Sequence, residues 1–85
     1  MSDLPPDVKS TLSQLLAEAA EAARTRDRET LEAVMESVET VTENKVPESE
    51  LKERLRYGCG AVERVADDEP LVAAAYCEAM RRRVG

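Results

Sequence analysis

Apolar residues recur at intervals of three and four along four successive stretches of this chain, and a proline or an aspartate marks the start of each stretch. This spacing is the period of an α-helix that buries one face. Proline at a first helical position loses no hydrogen bond, and aspartate caps free backbone N–H groups. The pattern therefore predicts one helical domain, residues 1–85, with helices near 6–24, 28–43, 48–66 and 70–83.

Three signals set the predicted boundaries. Asp27 is expected to cap the second helix, and Pro47 to open the third in its first turn. The β-branched run Thr40–Thr42 is expected to fray the end of the second helix. The positions predicted to face inward are Val8, Leu12, Leu15, Leu16, Ala19 and Ala23 in the first helix, Leu31, Val34, Met35, Val38 and Val41 in the second, and Leu51, Leu55, Cys59, Val62 and Val65 in the third.

The connections between these helices are short, and short connections force neighbouring helices to run antiparallel. The chain has no Ile, Phe or Trp, so its core must be built from Leu, Val, Met and Ala. Such small side chains suit closely approaching helices better than a sheet, which favours aromatic and β-branched residues. We expect an all-α four-helix up-down bundle. The alternative architecture is two stacked helical hairpins.

The charge balance is acidic, with 18 Asp and Glu against 12 Lys and Arg and a net charge of −6. This balance disfavours non-specific binding to nucleic acid, which depends on Lys and Arg displacing counterions from phosphate. The composition of this chain resembles that of proteins from halophilic archaea that accumulate salt. It has little Lys, abundant Asp, Glu, Ala and Val, and no Ile or Phe. A GC-rich genome would produce much of the same bias.

The residues needed for common catalytic and metal sites are missing from the sequence. There is no His, so neither a Ser nor a Cys nucleophile can have an imidazole partner. Two Cys without His do not complete an ordinary zinc site, and no glycine-rich phosphate loop is present. We expect no enzyme activity, no cofactor and no metal. The chain also has no apolar run of about 20 residues and no secretory signal, so we expect no membrane span and a cytoplasmic location.

Two charged surfaces are candidates for partner binding. Five glutamates at spacings of three and four form an acidic stripe on the second helix, namely Glu29, Glu32, Glu36, Glu39 and Glu43. The stripe is interpreted either as a solvated, salt-adapted face or as a docking site for a cationic partner. Arg81–Arg83 lies in the last helical turn, where cations stabilise the helix dipole. A contact with nucleic acid is the alternative interpretation of that arginine cluster.

Two glycines inside the third helix, in Tyr57-Gly58-Cys59-Gly60, cost about 1 kcal/mol each relative to Ala. We interpret them as a notch that lets the third and fourth helices approach closely. Pairing these helices about a corner at Asp68 places Gly60 against Tyr76 and Tyr57 against Ala79. The same register brings Cys59 and Cys77 side by side as a possible thiol pair. The alternative is a reactive thiol at Cys59 on a flexible helix.

These features favour a non-enzymatic protein-interaction or regulatory module from a halophilic cytoplasm. The fourth helix is apolar on almost every side between Leu71 and Met80, so its uncovered flank predicts binding to another protein or self-association as a homodimer. One alternative is a small nucleic-acid-associated regulator that uses the arginine cluster. Another is a thiol redox sensor at Cys59.

Overall fold

The computed structural model describes residues 4–85, and in that range the chain forms four α-helices and no β-strand. The helices are α1 (Pro6–Arg24), α2 (Arg28–Lys45), α3 (Glu50–Val65) and α4 (Pro70–Val84). Each helix packs against the next, and α4 packs back against α1, with no close contact between diagonal helices in the described range. This closed ring is an up-down four-helix bundle rather than a linear stack of two hairpins. The fold prediction is confirmed.

The interior of the bundle is built from Leu, Val and small residues. The side chains of Leu12, Leu16, Val38 and Leu55 are fully buried, and that of Val62 is almost so. Buried alanines concentrate on α1 and α4, and these two helices have the most extensive contact of any pair. Their contact is extensive because small side chains let helix axes approach to about 8 Å. Four residues predicted to face inward are only partly buried at the edge of this core, namely Leu15, Val41, Leu51 and Val65.

Side-chain caps start α2 and α3. The Asp27 carboxylate accepts a hydrogen bond from the Thr30 backbone N–H at 3.2 Å, and hydrogen bonding by Thr30 lowers the pKa of Asp27. Ser49 caps α3 in the same way by accepting from the Lys52 N–H at 3.2 Å, so this helix begins at Glu50. The prediction that Pro47 lies in the first turn was therefore wrong. The nearby serine supplies the side-chain acceptor that free helical N–H groups need, and proline has none to offer.

The end of α2 is held by two polar groups, and the predicted fraying does not occur. The buried Thr42 hydroxyl donates to the Val38 carbonyl at 2.7 Å, so it satisfies its own polarity within the helix. Lys52 of α3 is also buried, and its ammonium donates to the Glu43 carbonyl at 3.2 Å. A cation on the last free carbonyls stabilises a helix end. The helix therefore continues to Lys45, two residues beyond the predicted end.

The corner between α1 and α2 contains a residue in the left-handed conformation. Arg26 has φ of 60°, its N–H donates to the Ala23 carbonyl, and the Asp27 N–H donates to the Ala22 carbonyl. This pair of bonds is the Schellman motif that ends many helices, and glycine is the usual residue at the position of Arg26.

Within residues 4–85, no helix is long and apolar enough to cross a membrane.

Replacing Arg26 with Gly should raise the free energy of unfolding by up to about 1 kcal/mol. A side chain costs about 1–2 kcal/mol in the left-handed region, and the greater freedom of glycine in the unfolded chain cancels part of the gain. Arg26→Ala is the matched control, because alanine keeps the Cβ atom and should bring no such gain. Urea denaturation measures both variants. Equal stabilisation by Ala and Gly would show that the arginine side chain, not its backbone conformation, is unfavourable.

Candidate interaction surfaces

The structure places the acidic stripe along α2, with four of its glutamates exposed and Glu39 half-buried. Arg28 pairs with Glu32 at 3.0 Å, and Arg56 of α3 binds both carboxylate oxygens of Glu43 at 2.7 and 3.0 Å. The hydrogen bond from Arg56 lowers the pKa of Glu43. The sequence of α2 alone did not reveal the ion pair of Glu43, because Arg56 lies on the next helix. Near both ends of the stripe, one glutamate is thus paired with an arginine, so fewer carboxylates are unpaired than the spacing of the glutamates alone indicated.

The middle of the stripe borders a groove between α2 and α3, the least closely packed pair of neighbouring helices. The groove has a volume of about 440 Å³, and Leu31, Met35 and Val62 line its floor. Glu39 and Glu63 of α3 both line this groove, and their carboxylates are near enough to interact. Partial burial, followed by the charges of Glu63 and Glu36, raises the pKa of Glu39. The middle of the stripe, Glu36 and Glu39, thus forms a carboxylate cluster with Glu63 of α3.

The glycine notch lies at Gly58 and faces Met80. A Cβ atom built on Gly58 would be 2.5 Å from the Met80 Sδ and 2.7 Å from its Cγ, so α3 and α4 approach closely here. A Cβ atom on Gly60 would meet only the Arg64 Nη1 atom, at 3.4 Å, and no atom of Tyr76 within 4 Å. The predicted contact between Gly60 and Tyr76 was wrong. Residues two apart in a helix point about 200° apart, so only one glycine of the pair can face α4.

The outer side of α3 and α4 carries an apolar surface, which we call the α3–α4 face. It comprises Tyr57 of α3 and Val72, Tyr76 and Ala79 of α4, and the three α4 residues follow one another by four and three positions, so they lie on one side of the helix. Tyr57, Leu71 and Val72 are 67%, 70% and 38% exposed, and they are the only large apolar side chains so exposed in residues 4–85. The Arg64 guanidinium lies over the Tyr57 ring, 6.0 Å from its centroid. Tyr57 and Val72 thus belong to this face, whereas Leu71 points about 100° away from Val72 around α4.

A groove of about 470 Å³ runs through the α3–α4 face. Tyr57 and Ala79 both line it, as their predicted pairing requires, together with Tyr76 and Met80. The rim of the groove carries two acidic and two basic side chains at the end away from the corner between α3 and α4. These are Glu50, Glu53, Arg54 and Arg83.

Both cysteines are buried and have free thiols. Burial is the main cause that raises the pKa of Cys59 to about 12 and that of Cys77 to about 11. Cys59 lies on α3 and Cys77 on α4, and their side-by-side pairing stays a prediction. A protonated, buried thiol is a poor nucleophile. In the described part of the chain, no three His, Cys, Asp or Glu side chains come close enough to hold a metal ion.

Comparison with known proteins places the chain in a family. The family model described as "Domain of unknown function (DUF8101)" matches residues 1–85. The chain belongs to this family. No curated protein and no solved structure matches it.

In this DUF8101 domain, the arginine cluster is only partly available to a partner. Arg81 pairs with Glu78 at 3.5 Å, and Arg83 lines the groove of the α3–α4 face beside two glutamates. All three arginines are exposed in the last turn of α4. This position agrees with stabilisation of the helix end by positive charge. The cluster adds no continuous basic surface to the domain.

Proposed function

We propose that this domain is a non-enzymatic interaction module that binds another protein through its α3–α4 face. The exposure of Tyr57 and Val72 on two adjacent helices carries the proposal. Soluble proteins seldom leave large apolar side chains clustered in water, and such patches mark contact sites. Tyrosine is also enriched at protein interfaces, because its ring is apolar while its hydroxyl can still form hydrogen bonds.

The chemistry of the side chains supports a binding role over a catalytic one. The sequence contains no His, and both thiols are buried and have a raised pKa. A redox sensor needs an accessible thiol with a lowered pKa, so the same observations argue against that alternative at Cys59. The proposed module therefore acts through its surface and not through a reactive group.

We assign the acidic stripe to adaptation to a salt-rich cytoplasm. Arg28 and Arg56 of the same chain occupy its two ends, which leaves a cationic partner fewer free carboxylates to bind. The remaining glutamates repel one another, and concentrated salt weakens that repulsion. A stripe of this kind keeps a protein hydrated in a saline cytoplasm at little cost in stability.

A nucleic-acid-associated role for Arg81–Arg83 has less support from the geometry. Glu78 binds Arg81, and Arg83 shares a groove with Glu50 and Glu53, so nearby carboxylates would repel phosphate. Phosphate binding also requires several cations whose counterions are released together. Appreciable affinity for duplex DNA that falls steeply with added KCl would favour this alternative over a protein-binding module.

Site-specific photo-crosslinking in the native cell tests the proposed face. Benzoylphenylalanine in place of Tyr57 should form a discrete protein adduct, because this side chain is exposed and lines the groove of the face. The same probe in place of Gln14, which is exposed on α1, is the matched control and should form none. The adduct should also disappear when Val72→Asp is added. The proposal fails if position 57 forms no adduct, or if Val72→Asp leaves the adduct unchanged.

A further inference from the structure

Each tyrosine of the α3–α4 face has an arginine seven residues later on its own helix, Arg64 after Tyr57 and Arg83 after Tyr76. Seven residues are about two helical turns, so each arginine lies on the same side of its helix as its tyrosine. The Arg64 guanidinium lies over the Tyr57 ring, and Arg83 and Tyr76 line the same groove. Because α3 and α4 run antiparallel, the two arginines lie towards opposite ends of the face.

Neither of these arginines has an ion-pair partner among residues 4–85. The two glutamates on the rim of the groove are already paired, because Glu50 and Glu53 contact arginines of their own helix at 3.6 and 2.9 Å. A carboxylate from a partner can therefore pair with Arg64 or Arg83 without breaking an ion pair inside the chain. The charge that this face offers to a partner is thus positive, although the whole chain is acidic.

The surface between the two arginines is apolar and concave. Tyr57 and Tyr76 line the groove, together with Gly58, Ala79 and Met80. A groove between two helices is the shape that receives the apolar side of a third helix, whose inserted side chains recur at spacings of three and four. The polar flanks of such a helix then lie at the ends of the groove, within reach of the arginines.

We propose that the partner of the α3–α4 face is an amphipathic helix of another protein that carries a carboxylate at each end of its apolar stripe. This inference rests on the proposed function and states the chemistry of its partner. The stripe packs between Tyr57 and Tyr76, and the two carboxylates pair with Arg64 and Arg83. An arginine can form two parallel hydrogen bonds with a carboxylate, so these pairs also fix the position of the helix along the groove.

The arrangement of the charges suits such a helix better than nucleic acid. A phosphate backbone binds where several cations release their counterions together, whereas the two unpaired arginines stand at opposite ends of an apolar groove. The net charge of −6 does not prevent the approach of an acidic helix in concentrated salt. At about 1 M salt the Debye length is about 3 Å, so long-range repulsion is screened and direct contacts decide the affinity.

Selection from a library of displayed helical peptides, with the positions on one side randomised, tests this chemistry. With the wild-type domain as bait in about 1 M KCl, the peptides that bind should carry apolar residues at spacings of three and four, flanked by Asp or Glu. Tyr57→Ala should abolish their binding, and the fold should survive because this side chain is exposed. When Arg64→Glu and Arg83→Glu are combined in the bait, the same library should yield peptides flanked by Lys or Arg instead.

Fluorescence anisotropy with one selected peptide measures the contribution of the two arginines. Arg64→Gln combined with Arg83→Gln should weaken binding about three- to tenfold, as expected for the loss of two partly exposed ion pairs. Lys9→Gln combined with Arg82→Gln is the matched control, because it removes the same charge from exposed positions outside the groove. This control should leave the affinity unchanged.

The proposed partner is refuted if the selected peptides show no excess of Asp or Glu, if they still bind after Tyr57→Ala, or if both glutamine double variants lose affinity equally. Any of these results leaves the interaction function itself intact when position 57 forms its adduct in the native cell. Absence of that adduct would instead refute the interaction function, on which the acidic helix depends.

Discussion

Gly58→Leu should lower the free energy of unfolding by about 2–3 kcal/mol, whereas Gly60→Leu, two residues away, should leave it unchanged or raise it. The first new Cβ atom would lie 2.5 Å from the Met80 Sδ, far inside the usual contact distance of about 3.5–4.0 Å. Met80 is buried, so its side chain has little room to move away. Overpacking of this kind typically costs about 1–3 kcal/mol. In a domain of this size, the melting temperature should fall by roughly 10–20 °C.

Gly60→Leu is the matched control, because it makes the same chemical change in the same helix. Its Cβ atom meets only the flexible end of Arg64, at 3.4 Å, and Leu favours helix by about 1 kcal/mol over Gly. Denaturant titrations measure both variants. Met80→Ala should make Gly58→Leu less costly, because it removes the clashing atoms and couples the two sites. Equal effects at Gly58 and Gly60 would show that α3 presents a different side to α4.

The error in the predicted register shows what the sequence could and could not determine at this contact. The glycine pair correctly indicated close approach of the third and fourth helices. Distance from the corner suggested Gly60 as the contact, but helical phase decides which residue points inward. Gly58 follows Leu55 by three residues and precedes Val62 by four, so it belongs to the apolar stripe of α3, and Gly60 does not. The helical phase of that stripe therefore identifies Gly58 as the residue that contacts α4.

The exposed and charged surfaces were harder to predict, because they depend on which helices are neighbours. Periodicity showed that Glu39 and Glu43 share one side of α2, but not that Glu63 and Arg56 of α3 would meet them. Likewise, the many apolar residues of α4 predicted that one side of this helix is exposed. That Tyr57 of α3 lies beside this exposed side became clear only from the packing of the two helices. Periodicity within a helix thus identified each stripe, and tertiary packing determined its partners.

Raising KCl from about 0.1 M to about 1 M should raise the melting temperature by roughly 5–10 °C. This change shortens the Debye length from about 10 Å to about 3 Å and so screens the repulsion among the glutamates of α2 and α3. Each neighbouring pair costs a few tenths of a kcal/mol at low salt, so several pairs together cost about 1–2 kcal/mol. In a domain of this size, that energy corresponds to the expected rise.

Glu39→Gln combined with Glu63→Gln should remove much of this dependence on salt, because these two carboxyl groups meet across α2 and α3. Calorimetry at both salt concentrations measures the gap between the two melting temperatures. Glu18→Gln combined with Asp68→Asn removes the same charge from positions outside the groove and should leave the gap nearly unchanged. If the gap narrows equally in both double variants, the response depends on net charge alone and not on the cluster between α2 and α3.

Acidification provides a second test of the same cluster, and the sign follows from the pKa of Glu39. Its pKa is raised above the ordinary value of 4.5, so the folded chain binds a proton here more tightly than the unfolded chain does. The stability linked to Glu39 is therefore fully present below pH 4.5 and is lost as the pH rises through the raised pKa. Because the amide introduced by Glu39→Gln cannot ionise, the advantage of this variant over the wild type should shrink as the pH is lowered from about 7 towards 5. The lowered pKa of Glu43 has the opposite effect in both proteins, so it cancels from their difference. A difference independent of pH would mean that neither burial nor the neighbouring carboxylates raise the pKa of Glu39 in the folded chain.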